Sequence, residues 1–292
     1  MTAPPTGPVV VGVDHGPAAA DALALGSWAA RLLEVPLIVS AVHPAPSALG
    51  SGRIDAEWIA DRHRAAEEVL AGARATLGDP TGVEYRVLAS SSAAHGLHDL
   101  AEQVGAALLV VGSSSSGPAA RLFAGSTAER LLAGSVCPVA IAPAGMPHEP
   151  GALGRIGVAY VDTPDGRAAL DEAARLARRT GSPLLLVTVV ARGDAAVPFL
   201  LGDDAERAFL DTARETYEEA LRKAAESVPG VRADWELRSG DVVETLADLA
   251  EVDVLFCGSR GYGPARRVLL GGVSTRLLRR ACRPVVVVPR AA

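Results

Sequence analysis

Residues 108–113 read LLVVGS and residues 254–259 read VLFCGS, two versions of one apolar strand that ends in Gly-Ser. Gly112 and Gly258 lie 146 positions apart. The same spacing recurs at further anchors: Gly125 with Gly271, and Pro138 with Pro284. Agreement at a fixed period is the signature of an internal repeat, so the sequence predicts two copies of one domain.

The repeat extends outward from this strand over nearly the whole chain. Toward the amino end the spacing becomes 147, as between Pro17 and Pro164, so a one-residue insertion separates the copies. Between them, residues 142–154 read APAGMPHEPGALG, and this proline and glycine content is typical of a linker. We therefore predict a first domain over residues 1–143, a linker over 144–153 and a second domain over 154–292.

Short apolar runs alternate with helical stretches in each copy. In the first copy, strands are predicted at 8–14, 36–42, 83–89, 107–112 and 138–143, and helices at 18–33, 55–77, 96–104 and 126–134. The second copy repeats this order, and its helices are predicted at 166–180, 203–228, 243–251 and 273–281. Strands that are apolar throughout and separated by helices indicate a parallel sheet covered on both faces. The predicted class is α/β, with two tandem doubly wound, Rossmann-like domains, each a five-stranded parallel sheet sandwiched by helices.

Composition excludes several classes of protein. The chain has 292 residues, which suits two domains, and 49% are hydrophobic, which is enough for a buried core. Its net charge of −6 argues against a nucleic-acid binder, which needs a basic surface. No apolar run approaches the ~20 residues of a membrane helix, and the first residues do not resemble a signal peptide. We expect a cytoplasmic protein with no nucleic-acid or membrane partner.

Ligands of doubly wound sheets bind beyond the carboxyl ends of the strands, where the winding reverses. The residues that follow the first and fourth strand of each copy are therefore the first candidates: Asp14, Asp162 and the loops 112–126 and 258–274. The second loop reads GSRGYGPARRVLLGGVS, and its glycines allow the backbone to approach a ligand closely. Residues 271–274 open a helix, whose free N–H groups favour anions, and Arg260 adds positive charge.

This loop is predicted to hold phosphates, although glycine-rich loops are also common turn material. A Walker A loop is excluded because the single lysine, Lys223, lies elsewhere. A metal site has no support, since the cysteines form no CxxC pair and no histidine follows His148.

The spacing G-x-x-G, nine residues, then G and a small residue resembles the universal stress protein family. The second copy matches it with Gly258, Gly261, Gly271 and Gly272, and its ending CRPVVVVP resembles the family's closing strand. The resemblance implies an adenine nucleotide alpha hydrolase-like fold. It also implies that ATP, with or without Mg²⁺, or another adenine nucleotide occupies the groove.

The resemblance carries over residue by residue. In the second copy it implies phosphate contacts at the loop and helix start, namely Gly258, Gly261, Gly271, Gly272, Val273 and Ser274. In the first copy the equivalent positions are Gly112, Ser115, Gly125, Ser126 and Thr127. An aspartate after the first strand lies near ribose and adenine, which matches Asp14 and, one residue late, Asp162. Backbone groups near the end of the second strand meet adenine, at Ala41 and Val189.

Each copy departs from the family pattern at a different place. Ser115 replaces the second loop glycine of the first copy, whereas Val161 aligns with Asp14 in the second copy. The copies are therefore not expected to bind equally. The closing strands PVAIAP and PVVVVP are expected at a sheet edge, where an uncovered strand invites pairing. They predict an internal pseudo-dimer of the two copies, and a homodimer through the same strands is a further possibility.

The functional hypothesis is an ATP-binding regulatory module in a stress response. Two alternatives stay open at this point. One is a slow ATPase or nucleotide hydrolase, although no positioned general base is evident in the sequence. The other is a protein-interaction scaffold that binds no nucleotide.

Overall fold

The structure is a computed structural model that describes residues 7–45, 56–78, 82–113, 126–148, 150–191, 203–259, 276–277 and 280–289. The first half contains β1 Val9–Val13, α1 Ala18–Leu33, β2 Leu37–Pro44, α2 Ala56–Leu77, β3 Val83–Ser90, α3 Ala93–Val104, β4 Leu108–Gly112, α4 Ser126–Gly134 and β5 Val139–Ala142. The second half contains β6 Ile156–Ala159, α5 Pro164–Thr180, β7 Leu184–Ala191, α6 Asp203–Glu226, β8 Ala233–Gly240, α7 Val242–Ala247, β9 Val254–Gly258 and β10 Val285–Val288.

A single ten-stranded sheet runs through both halves, in the order β3-β2-β1-β4-β5-β10-β9-β6-β7-β8. Within each half every pairing is parallel, as the apolar strands predict. In the first half α1 and α2 cover one face, and α3 and α4 cover the other. The winding therefore reverses between β1 and β4, which confirms the doubly wound α/β fold.

The closing strands β5 and β10 pair with each other in antiparallel fashion, with Val286 opposite Ala140. This is the internal docking of the two halves that the sequence predicts. The expectation that these strands lie at a sheet edge is wrong for the whole chain, because each strand is paired on both sides and sits at the centre of the sheet. A homodimer through the same strands stays a prediction, and it would require this pair to open.

The outer edges of the sheet are β3 and β8, whose sequences alternate rather than being apolar throughout. Both carry a charged pair two residues apart that faces solvent: Glu84 with Arg86, and Glu236 with Arg238. Charged side chains on an edge strand discourage pairing with other chains. The apolar strands are thereby kept inside the sheet.

The segment between the halves is packed and hydrogen-bonded rather than extended into solvent. Met146 and Leu153 are buried in the core, and the Met146 amide donates to Asp21 at 2.9 Å. The indole of Trp28 donates to the Gly151 carbonyl at 3.0 Å. The predicted linker thus fastens to α1 and helps to hold the two halves together.

Several predicted element ends shift by a few residues. Helix α3 begins at Ala93 instead of 96, because the Ser92 hydroxyl accepts a hydrogen bond from the His95 amide and caps an earlier turn. Helix α7 ends at Ala247, four residues before the predicted end. The last predicted helix, 273–281, lies mostly outside the described residues. Within the described part of the chain, no helix is long and apolar enough to cross a membrane.

We expect the β5–β10 pair to be essential for stability. Val286 is 5% exposed at its centre, so Val286→Asp would bury an unpaired carboxylate and lower the free energy of unfolding by roughly 3 kcal/mol or more. Val136→Asp is the matched control, because Val136 is 53% exposed, and its effect should stay within about 0.5 kcal/mol. Urea unfolding measures both variants. Equal effects of the two variants would contradict the assigned role of the pair.

Candidate functional site

A cavity of about 320 Å³ opens at the carboxyl ends of β1 and β4, where the winding of the first half reverses. This volume lies at the lower end of the range of small-molecule sites. The lining comes from three strands and three helices: Gly12, Val13, Asp14, Ala18, Ala19, Ser40, Val42, Ala93, Leu97, Val111, Gly112, Thr127 and Ala128. The fold therefore brings together three residues predicted from the sequence, Asp14, Gly112 and Thr127.

The lining has an apolar part and a polar part. Val42, Leu97 and Val111 present hydrocarbon surface, which suits a flat ring system. Asp14 and Thr127 supply hydrogen-bonding groups and come from the ends of β1 and the start of α4. The cavity is thus built for a ligand that combines a planar apolar portion with polar groups.

Three helices begin at the cavity. Ala18 and Ala19 belong to the first turn of α1, Ala93 begins α3, and Thr127 is the second residue of α4. Free backbone N–H groups and the helix dipole make each amino end favourable for negative charge. No side chain caps the amino end of α1, which begins after Pro17. The helix amino ends therefore favour an anionic group, while Ser92 already caps α3 and Asp14 adds a negative charge to the lining.

Asp14 follows the last residue of β1 and is exposed. Its Oδ1 accepts a hydrogen bond from the Gly16 amide at 2.8 Å, a turn that fixes the carboxylate between β1 and α1. A carboxylate held in this way can accept hydrogen bonds from ligand hydroxyl groups.

Gly112 has a role in the fold that is independent of any ligand. A Cβ atom at this position would lie 2.4 Å from the Ala18 carbonyl oxygen, so only glycine lets the end of β4 meet the start of α1. Gly258 is in the same situation, with a Cβ atom 2.8 Å from the Asp165 carbonyl oxygen. Close packing therefore suffices to explain why this glycine recurs in both copies.

On β2 the residues that line the cavity are Ser40 and Val42, and the contact predicted for the Ala41 backbone stays a prediction. Ala41 pairs with Val13, the last residue of β1, and is 2% exposed in the core of the opposite face. Val42 is the first residue of β2 beyond the end of β1, and it lines the cavity. Side chains alternate between the two faces of a strand, so those of Ser40 and Val42 share one face and that of Ala41 lies on the other. This alternation can be read from the sequence.

The second half has the same strand register with different side chains. Ile156 occupies the position of Val9, because each pairs with the first residue of the next strand, Leu184 or Leu37. Counting along β6 and β7, Val161 stands in the place of Asp14, and Val187 in the place of Ser40. Two polar positions of the first cavity are thus apolar here. Val189, predicted near adenine, takes the place of Val42 and is partly buried.

Asp165 adds a negative charge to the second half where the first half has Ala18. It is 7% exposed, and its Oδ1 accepts a hydrogen bond from the Ser259 hydroxyl at 3.3 Å, directly after β9. The Thr163 side chain also caps α5 by accepting from the Gly166 amide. The amino end of α5 therefore already has an anion and a cap from its own chain.

Asp162 is tied to neighbouring side chains rather than placed alone at the strand end. It forms an ion pair with Arg167 and accepts a hydrogen bond from the Tyr160 hydroxyl at 3.3 Å. Tyr160 is buried, and burial together with the Asp162 charge raises the pKa of its phenol to about 12. These contacts distinguish Asp162 from Asp14.

The remaining predicted site residues lie outside the described part of the chain. These are Ser115, Gly125, Arg260, Gly261, Gly271, Gly272, Val273 and Ser274. Ser126 is described as the first residue of α4. Among the described residues, no cluster of three His, Cys, Asp or Glu side chains has the geometry to hold a metal ion.

The sequence is similar to known proteins over both halves. The family model described as Universal stress protein family matches residues 6–143 and 153–289. A universal stress protein of Mycobacterium tuberculosis is 31% identical over 299 residues, covering 96% of this chain and 99% of the relative. A universal stress protein of Mycolicibacterium smegmatis is 35% identical over 140 residues, covering 42% of this chain and 45% of the relative.

The fold is also found among solved structures. A universal stress protein from Archaeoglobus fulgidus aligns with a TM-score of 0.66 and 21% identity, covering 98% of this chain and 97% of that chain. At this identity the likeness supports the fold alone. It includes both halves, in agreement with the tandem α/β architecture.

We expect one of the four tyrosines to ionise late, because the pKa of Tyr160 is raised from 10.0 to about 12. Because the Tyr160 phenol holds its proton more tightly in the folded state, it contributes stability below pH 10. This contribution is lost as the pH rises toward 12. Phenolate absorbance during an alkaline titration should show this step, and Tyr160→Phe should remove it. A wild-type titration in which every tyrosine ionises near pH 10 while the protein is still folded would contradict the assigned burial.

Proposed function

This chain belongs to the universal stress protein family, and we propose that its first half binds an adenine nucleotide, with ATP as the leading candidate, as a regulatory module. The observation that carries the proposal is the cavity at the reversal point of the first half. It combines apolar walls, the carboxylate of Asp14 and the amino ends of three helices. A nucleotide offers a matching set of groups: a flat base, ribose hydroxyls and an anionic phosphate chain.

Each part of the nucleotide has a complement among the described residues. The base would lie against Val42, Leu97 and Val111, and Asp14 would accept hydrogen bonds from the ribose. The phosphates would extend toward Gly112 and the amino end of α4, where N–H groups favour anions. Ser115 and Gly125, which the family resemblance assigns to phosphate, remain part of the proposal.

The second half is proposed to bind nucleotide weakly or not at all. Val161 cannot accept hydrogen bonds from ribose, and the Asp165 carboxylate would repel a phosphate chain near the amino end of α5. Its loop glycines at 258, 261, 271 and 272 keep the family pattern, but a backbone cradle alone does not offset both losses. The proposal therefore assigns one nucleotide to each chain.

We expect Asp14→Ala to weaken ATP binding by about tenfold or more, because a charge-assisted hydrogen bond to ribose would be lost. Asp162→Ala is the matched control: it removes the carboxylate directly after Val161, the counterpart of Asp14 in the second half, and should leave the affinity unchanged. Isothermal titration calorimetry measures both variants. The reverse order of effects would move the site to the second half.

Titration of the full chain with ATP should give a stoichiometry near one. A stoichiometry near two would contradict the proposed difference between the halves. The double variant Val161→Asp with Asp165→Ala restores the first-half pattern at two positions and should raise the stoichiometry or the affinity of the second half. Its measurement needs the Asp14→Ala background, so that the first half does not obscure the signal.

Two other outcomes would redirect the proposal. Release of phosphate from ATP by the purified protein, abolished by Asp14→Ala, would support a slow hydrolase. Mass spectrometry that repeatedly finds no nucleotide retained, together with no calorimetric signal for ATP, would support a scaffold that acts through protein contacts.

A further inference from the structure

Ser40 is a buried polar residue on β2 that lines the first-half cavity. It pairs with Gly12, two residues before Asp14, so it lies roughly 7 Å deeper along the sheet than that carboxylate. Its exposed fraction is 0%, and its hydroxyl oxygen has no hydrogen-bond partner among the described residues. The hydroxyl therefore sits at the floor of the cavity without a protein partner.

Two comparable buried hydroxyl groups, those of Thr188 and Ser182, have hydrogen-bond partners. The Thr188 hydroxyl donates to the Tyr160 carbonyl at 2.7 Å, and the Ser182 hydroxyl donates to the Leu153 carbonyl at 2.7 Å. Buried polar groups are normally paired, and an exception calls for a reason. The Ser113 hydroxyl also has no partner in the described part of the chain, but Ser113 does not line the cavity.

The fold does not require a hydroxyl at the position of Ser40. The equivalent residue in the second half is Val187, which is 1% exposed and packs in the core formed with α7. Valine at this position keeps the same strand and the same neighbours in the sheet. The buried hydroxyl of Ser40 thus lowers the stability of the protein without nucleotide, and no described contact offsets this cost.

We propose that Ser40 binds the base of the nucleotide through its side chain, with its hydroxyl hydrogen-bonded to a ring nitrogen or exocyclic group of the base. This inference rests on the proposed function of the first half. The base is the matching part of the ligand because the strand partner of Ser40, Gly12, and its neighbour on the same strand face, Val42, offer no competing polar side chain. Asp14, which suits ribose, lies two residues beyond Gly12 along the chain.

A hydroxyl both donates and accepts and can rotate, so Ser40 can pair with the mixed donor and acceptor edge of adenine or of guanine. The affinities for ATP and for GTP should therefore both depend on this residue.

The test compares Ser40→Ala and Ser40→Val with the wild-type chain by calorimetry with ATP and with GTP. We expect the affinities for ATP and for GTP each to fall about tenfold in both variants. Thermal unfolding of the nucleotide-free protein should show an unchanged or higher melting temperature for Ser40→Ala, because an unpaired buried hydroxyl is removed. Ser182→Ala, which removes a paired hydroxyl, should lower the melting temperature and serves as the control.

The outcomes separate this inference from the proposed function. Unchanged ATP affinity in Ser40→Ala, with a binding wild type, would overturn the role of Ser40 and leave the site in place. Weaker binding with a lowered melting temperature would assign Ser40 a structural role and also overturn the inference. Absence of ATP and GTP binding in the wild type would overturn the proposed function, and the inference with it.

Discussion

The antiparallel hydrogen bonds between β5 and β10 join two open sheets into one, and the position of every other element follows from them. A short strand such as Val139–Ala142 could not stay at an edge without exposing a row of unpaired backbone groups. Pairing it with β10 buries both strands and brings α1 and α5 together on one face of the sheet. The edges that remain are β3 and β8, which carry charged pairs. Because of the duplication, the closing strand of each copy is paired within the chain, whereas a single copy would need a second chain to cover it.

The cavity depends on a second constraint: the unpaired backbone N–H groups at helix amino ends need hydrogen-bond partners. In the first half α1 begins after Pro17 without a side-chain cap, and α3 and α4 begin beside it. In the second half Thr163 caps α5, and Asp165 places a carboxylate in its first turn. The amino end of α1 thus lacks the side-chain cap that α5 has, whereas α3 is capped by Ser92. The two halves therefore differ in how the first helix of each begins.

Most of the fold could be predicted from the sequence because apolar strands and proline or glycine boundaries are local signals. The α1 bounds, Ala18–Leu33, follow directly from them. The central position of β5 and β10 could not be predicted with certainty, because strand patterns do not show which edge a closing strand meets. Within the site, Asp14 and Thr127 were predictable from their place after a strand and at a helix start. The contact predicted for the Ala41 backbone stays a prediction, because the side-chain register of β2 does not test it. The unpaired hydroxyl of Ser40 depends on packing that no local pattern encodes.

The antiparallel joint has a consequence for how the halves can diverge. All strands of one half run opposite to those of the other, so the carboxyl ends of the strands in the two halves lie at opposite edges of the shared sheet. A substitution at one of these edges leaves the other edge untouched, whereas a substitution in β5 or β10 affects both halves. The two halves can therefore diverge independently at their strand ends, as the subunits of a heterodimer do, while the β5–β10 pair that joins them is retained. Tolerance to mutation should differ accordingly, low in β5 and β10 and higher at the two edges.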